Sequence, residues 1–332
     1  MELLLVSGTG GSGVSSVATG LARGLRERGL ATAELSSAVA APVAGSQVWA
    51  EATQTFGVWL RSLGTASLGP EELLGLAGLN ELLTGVMAAE ATGDPSIDAV
   101  IWDMGSLREA GRTLQLLDSV PVLLDRLLTG SVADALSAPN PAEMVAAWYR
   151  LVTHLAQARE VLTRSRAVLV GGDQDGDRLQ AGLGMLRLFD STPTAVVINR
   201  AATPKSALRD ADSLGLPAFA VGSRQGRLKT GWLARQLTGL VELVEQLPPV
   251  SAPAWTVSAR DGGFRLTFPL RAGAQVRVGR RGDALLLVCD GHQRHFELPP
   301  VLKRCLIQGG GMRGSELLLG FSPDPRVWRE EA

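Results

Sequence analysis

The chain has 332 residues with a formal net charge of -1 and 45% hydrophobic residues, enough for two domains and a sizeable core. The charge balance argues against a general nucleic-acid binder, which would present a basic face. The two cysteines, Cys289 and Cys305, form no C-x-x-C, excluding a four-cysteine zinc site within the chain.

Glu2 leads straight into the apolar run Leu3 to Val6, without a charged segment ahead of a hydrophobic one, and no apolar run approaches a membrane span. The expectation is a cytoplasmic protein that is not integral to a membrane, with both cysteines reduced and buried. After the first strand come Gly8, Thr9, Gly10, Gly11, Ser12, Gly13, Val14, Ser15 and Ser16, then an Ala/Leu/Arg-rich helix ending near Gly29. A strand, a glycine loop and a helix N-terminus form the layout of a phosphate cradle. The P-loop pattern G-x-x-x-x-G-K-[ST] places a lysine where Val14 stands.

A second strand is expected over 30–35, followed by helical spacing from Trp49 to Glu90. A third strand, Ile97 to Asp103, is apolar and ends in an acid, as a buried parallel strand with a ligand-facing end does. Helical pattern resumes over 112–166. Further strands fall at 167–170, 195–199 and 218–221, with helices around 176–189, 205–213 and 232–246. This alternation predicts a parallel sheet covered on both faces. A proline-rich linker at 248–254 separates it from short strands with regular turn signals, which predict a small all-β sandwich over 255–323 and a tail at 324–332.

Gly8-x-Gly10-x-x-Gly13 also satisfies the dinucleotide fingerprint, with Glu34 placed as a ribose-binding acid, so an NAD(P) reading stays open on local grounds. The hydroxyls of Ser15 and Ser16 favour a P-loop instead. His154, His292 and His295 form no metal pattern. The spacing of three puts the last two on opposite faces of a strand, at solvated or edge positions.

Gly8 to Ser16 aligns without gaps on the G-K-G-G-x-G-K-[ST]-[ST] loop of the arsenite-pump and tail-anchored-protein-targeting ATPases, the ArsA/GET family. Asp103 and the run from Gly111 to Leu117 resemble its switch region. The segments FRLTFPL, GDALLLVCDGHQRHFELP and SELLLGF are similar to the α-crystallin-like domain appended to some bacterial members. The resemblance implies a P-loop α/β domain with a helical subdomain over 1–247. It implies ATP or ADP with Mg²⁺, held by Ser15 and Asp103, and Asn199 facing the adenine.

The departures concern charge. The family's two lysines correspond to Thr9 and Val14, its switch histidine to Arg112, and its water-positioning aspartate falls near Ser36 and Ser37. A pseudo-ATPase with a degenerate Walker A is therefore expected, acting as a regulatory, structural or client-binding subunit. Its partner would be itself, as a homodimer, or an intact relative, as a heterodimer. The alternatives are an active ATPase using Arg112 and a nucleotide-independent chaperone. A hydrophobic protein client would lie on Leu123, Leu124, Leu127, Leu128 and Met144.

Overall fold

A computed structural model describes residues 2–37, 50, 78–135, 141–201, 214–222, 230–250 and 253–327. The parallel sheet expected from the alternating pattern has six strands: β1 (Glu2–Gly8), β2 (Thr32–Ser36), β3 (Ala99–Ser106), β4 (Arg166–Gly171), β5 (Thr192–Ala201) and β6 (Ala218–Gly222). They lie in the order β2-β3-β1-β4-β5-β6, every neighbouring pair parallel. β1 is apolar without alternation because both of its faces are covered: Leu3 and Leu5 enter one core, Leu4 and Val6 the other.

Helix α1 (Val14–Glu27) covers one face with α6 (Thr230–Gln236) and α7 (Thr238–Gln246). Gly20 and Gly24, one turn apart on α1, let these helices approach closely. A Cβ at either would lie 2.9 Å from Leu233 or 2.7 Å from Val241. The opposite face is covered by α2 (Leu79–Gly93), α3 (Leu107–Ala135), α4 (Pro141–Thr163) and α5 (Gly176–Leu188). The expected helices over 49–77 and 205–213 lie outside the described residues, apart from Ala50.

The expected sandwich forms from two antiparallel sheets. One is β9 (Val276–Arg281), β10 (Ala284–Cys289) and β11 (His292–Glu297). The other is β7 (Thr256–Arg260), β8 (Gly263–Pro269), β12 (Cys305–Arg313) and β13 (Glu316–Pro323). Phe268 and Phe296 meet edge to face between the sheets at 4.7 Å. A one-turn helix, α8 (Pro300–Lys303), interrupts the strands and has no counterpart in the sequence reading.

The core of the sandwich is continuous with the core under α2 to α5. β11 runs along α3, while α5 packs on β8 and β10. The junction is also polar. Arg294 on β11 donates to Asp190 Oδ2 at 2.5 Å and to the Leu188 carbonyl. Asp118 on α3 accepts the His295 backbone N–H, and Arg159 on α4 pairs with Asp118 at 2.9 Å. His292 and His295 thus occupy an edge strand, one of the two placements expected, with both side chains half-buried. A Cβ added at Gly111 would lie 2.4 Å from the His292 ring, and the His295 ring faces Ser119.

Candidate functional site

The loop from Gly8 to Gly13 joins the centre of the sheet to the N-terminus of α1. Gly11 and Gly13 adopt left-handed φ of 79° and 83°, a backbone region glycine enters without steric cost. Gly13 caps α1 without a side-chain hydrogen bond, so the first-turn amides have no side-chain acceptor. The loop is cross-braced from below: Thr9 N donates to the Val170 carbonyl at 2.9 Å and Ser12 Oγ to the same carbonyl at 3.2 Å. At Gly8 a Cβ would lie 2.0 Å from that oxygen. Gly10 differs, since a Cβ there would meet nothing within 4 Å.

At the lysine position, Val14 is 7% exposed and packs into the core beneath α1. Thr9 is also buried, and its hydroxyl donates to Asp175 Oδ2 at 2.5 Å. Asp175 precedes α5, accepts the Gly172 N–H at 2.8 Å and lies 3.5 Å from Arg178. A carboxylate thus stands against the loop where a lysine-bearing cradle would have positive charge. The sequence reading missed Asp175, although an acid-rich GGDQDGD run follows the fourth strand. The missing link was that β4 lies beside β1.

Asn199, at the end of β5, is 2% exposed. Its amide donates to the Ser12 carbonyl at 2.6 Å and its Oδ1 accepts the Arg200 N–H at 3.0 Å. Asp103 is 6% exposed and continues within β3, and its Oδ1 accepts the Gly105 N–H at 2.9 Å. The Ser15 side chain is exposed and Ser16 half-buried. A triphosphate with Mg²⁺ fits this set poorly: the site offers loop amides and a serine hydroxyl, with an apolar residue and a carboxylate where cations would lie. Among the described residues no group of three or more His, Cys, Asp or Glu is placed to hold a metal ion.

Arg112 on α3 pairs with Glu81 on α2 at 2.8 Å, so its charge is engaged between those helices. Glu34 accepts from Thr19 Oγ1 in the middle of α1 at 2.6 Å. The dinucleotide order 3-2-1-4-5-6 sets the second strand beside the first, whereas here β3 separates them. The NAD(P) reading is corrected on that ground. Of the proposed client residues, Leu123 is 55% exposed. The side chains of Leu124, Leu127, Leu128 and Met144 lie outside the described set. No helix among the described residues is long and apolar enough to cross a membrane.

A profile of the HSP20-like domain found in ArsA matches residues 263–321. Over 86 residues the chain is 33% identical to an uncharacterized protein of Streptomyces coelicolor, covering 24% of this chain and 22% of that protein. Over 65 residues it is 35% identical to the protein Rv2184c of Mycobacterium tuberculosis, covering 20% of this chain and 16% of that protein. These matches therefore span about a fifth of each relative's length.

Among solved structures, the signal recognition particle receptor FtsY of Elizabethkingia anophelis aligns with 71% of this chain and 65% of its own, at 12% identity and a TM-score of 0.33. The cell division protein FtsY of Thermotoga maritima aligns with 71% and 68%, at 15% identity and a TM-score of 0.32. With its glycine loop at the strand-to-helix turn of a parallel sheet, the chain joins a P-loop NTPase-like fold to an HSP20-like domain of the kind found in ArsA.

Proposed function

We propose that this chain is a pseudo-ATPase: a degenerate P-loop protein that does not hydrolyse ATP efficiently and serves as a regulatory, structural or client-binding subunit. The observation that carries the reading is the burial of Val14 in the apolar core at the position where a P-loop lysine would reach the phosphates. A dry, positively charged donor there stabilises the transferring phosphoryl group by several kcal/mol, and valine contributes none of it. The Asp175 carboxylate beside Thr9 adds to the deficit. Any ATP or ADP, with Mg²⁺ held by Ser15 and Asp103, is bound weakly through the loop amides. Asn199 serves as a strut under the loop instead of a base contact. The partner is a second copy or a catalytically intact relative.

Steady-state phosphate release from ATP tests the reading. Rates at the level of the buffer control support it. Turnover abolished by both Ser15→Ala and Asp103→Ala overturns it.

A second reading, client binding without nucleotide, draws on the exposure of Leu123 (55%) on α3 and Tyr149 (61%) on α4. Apolar side chains this open on adjacent helices suit an apolar protein segment. Nucleotide-independent protection of an apolar peptide, lost in Leu123→Glu, supports it; unchanged protection in that variant removes it.

A further inference from the structure

The sandwich has one open side, where β9 ends one sheet and β12 ends the other; among the described residues no strand pairs with the far edge of either. An edge strand presents a row of unmade N–H and C=O groups, and proteins guard such edges with charge, proline or a covering element. Here β11 lies along α3, β7 has only five residues, and β9 carries Arg277, Arg280 and Arg281. β12 has none of these guards. It is nine residues long, has no charge or proline from Cys305 to Met312, and is exposed from Gln308 to Gly311. Beside it runs an apolar groove of about 320 Å³, lined by Val276, Val278, Ile307, Met312, Leu317 and Leu319.

We propose that β12 pairs antiparallel with β12 of a second copy, about a two-fold axis between Gly309 and Gly310. The faces of the strand are complementary to themselves in this register. Ile307 lies opposite Phe321 and Met312 opposite Leu317, so both point toward the sandwich interior, whereas Leu306 opposite Ser322 and Arg313 opposite Glu316 point outward. A register shift between Ile307 and Gly309 puts Ile307 and Met312 on one side although they are five residues apart. In the pair, Ile307 of each copy stands against Met312 of the second copy on the groove side, and Leu306 against Arg313 on the outer side. The two Arg313 side chains are then about 20 Å apart along the seam, beyond the screening length. Glycine inside a strand often marks the close approach of another backbone. Gly309 has a φ of 144°, and a Cβ at Gly310 would lie 2.5 Å from the Leu318 carbonyl oxygen, but a Cβ at Gly311 would meet nothing within 4 Å. A one-strand seam is at the small end of protein interfaces, so the pair exchanges with monomer as concentration changes. This inference rests on the reading of the partner as a second copy, and on nothing at the glycine loop.

Sedimentation velocity of the full chain over about 1–500 µM tests the pairing, with hydrogen exchange at the β12 amides. The wild type passes from monomer to dimer as concentration rises, and the β12 amides exchange more slowly as it does. Gln308 and Gly311 face each other across the seam, so Gln308→Lys with Gly311→Lys sets two lysine pairs directly opposite and weakens the dimer about tenfold. Gln308→Lys with Gly311→Glu makes both pairs attractive and restores it. Both positions are exposed, and a side chain at 311 has open space. Should either variant not fold, the wild type decides: slower exchange in β12 at high concentration supports the seam, and unchanged exchange overturns it. A wild type that stays monomeric throughout overturns both the seam and the second-copy reading, leaving the intact relative as partner. A dimer of equal strength in the two folded variants overturns the seam alone, with the copies meeting elsewhere.

Discussion

Gly13 and Asn199 compete for one volume: a Cβ on residue 13 would sit 2.5 Å from the Asn199 amide nitrogen that holds the Ser12 carbonyl. Their contact ties the end of β5 to the start of α1, so the shape of the loop is maintained by the protein's own side chain. Gly13→Ala combines this overlap with a positive φ and costs about 1–3 kcal/mol. Gly10→Ala, facing open space, changes stability by less than about 0.5 kcal/mol. Urea denaturation of the two variants, compared at constant m, checks the contrast.

The junction of the two units rests on buried charges. Asp190 and Arg294 are 2% and 5% exposed, so Arg294→Ala strands a carboxylate in the interior and costs about 3–5 kcal/mol. Replacing both, as Asp190→Asn with Arg294→Ala, costs less than the sum of the two single changes. Chemical denaturation of the three variants provides the measurement.

Burial holds the His292 imidazole below its ordinary value of 6.5, against an opposing pull from Asp290. A base with a depressed folded-state pKa takes up protons more readily when unfolded. The stability it protects is present above about pH 6.5 and is lost as the pH falls through its folded value. Melting temperature therefore drops from pH 7 toward pH 5, and His292→Gln reduces that drop. Asp118 has the opposite sign in a lower window: burial raises its carboxyl against the pull of Arg159 and Arg294, so its contribution declines as pH rises above about 3.8.

The Cys289 thiol is pushed up to about 11, chiefly by burial and then by Asp290, and burial raises Cys305 as well. Both side chains are 2% exposed or less. Thiolate is the reactive form, so iodoacetamide at neutral pH labels neither residue in the native protein and both after denaturation. Mass spectrometry reads the difference.

What the sequence shows well is what local periodicity encodes. The uninterrupted run Leu3 to Val6 announces a strand buried on both faces. Short apolar-rich runs such as FRLTFPL and ALLLVC, with turns at Asp261-Gly262 and Asp290-Gly291, announce the sandwich. What it hides depends on long-range neighbours. The GGDQDGD run does not show that Asp175 reaches Thr9, whereas the burial of Val14 follows from the α1 stripe it shares with Val17, Ala18 and Leu21. Glu34 looks placed for a ribose until β3 is seen between β2 and β1. The contacts of His292 and His295 with α3 are hidden because nothing within their strand predicts the helix lying across it.

The central claim is that the loop between β1 and α1 has the shape of a phosphate cradle without the charge to use it. Calorimetry with ATP, ADP and Mg²⁺ on the wild type and on Val14→Lys tests this most directly. The account predicts weak or undetectable binding by the wild type, and affinity raised about tenfold or more once the lysine is supplied. Tight Mg²⁺-dependent ATP binding by the wild type, left unimproved by Val14→Lys, would contradict it.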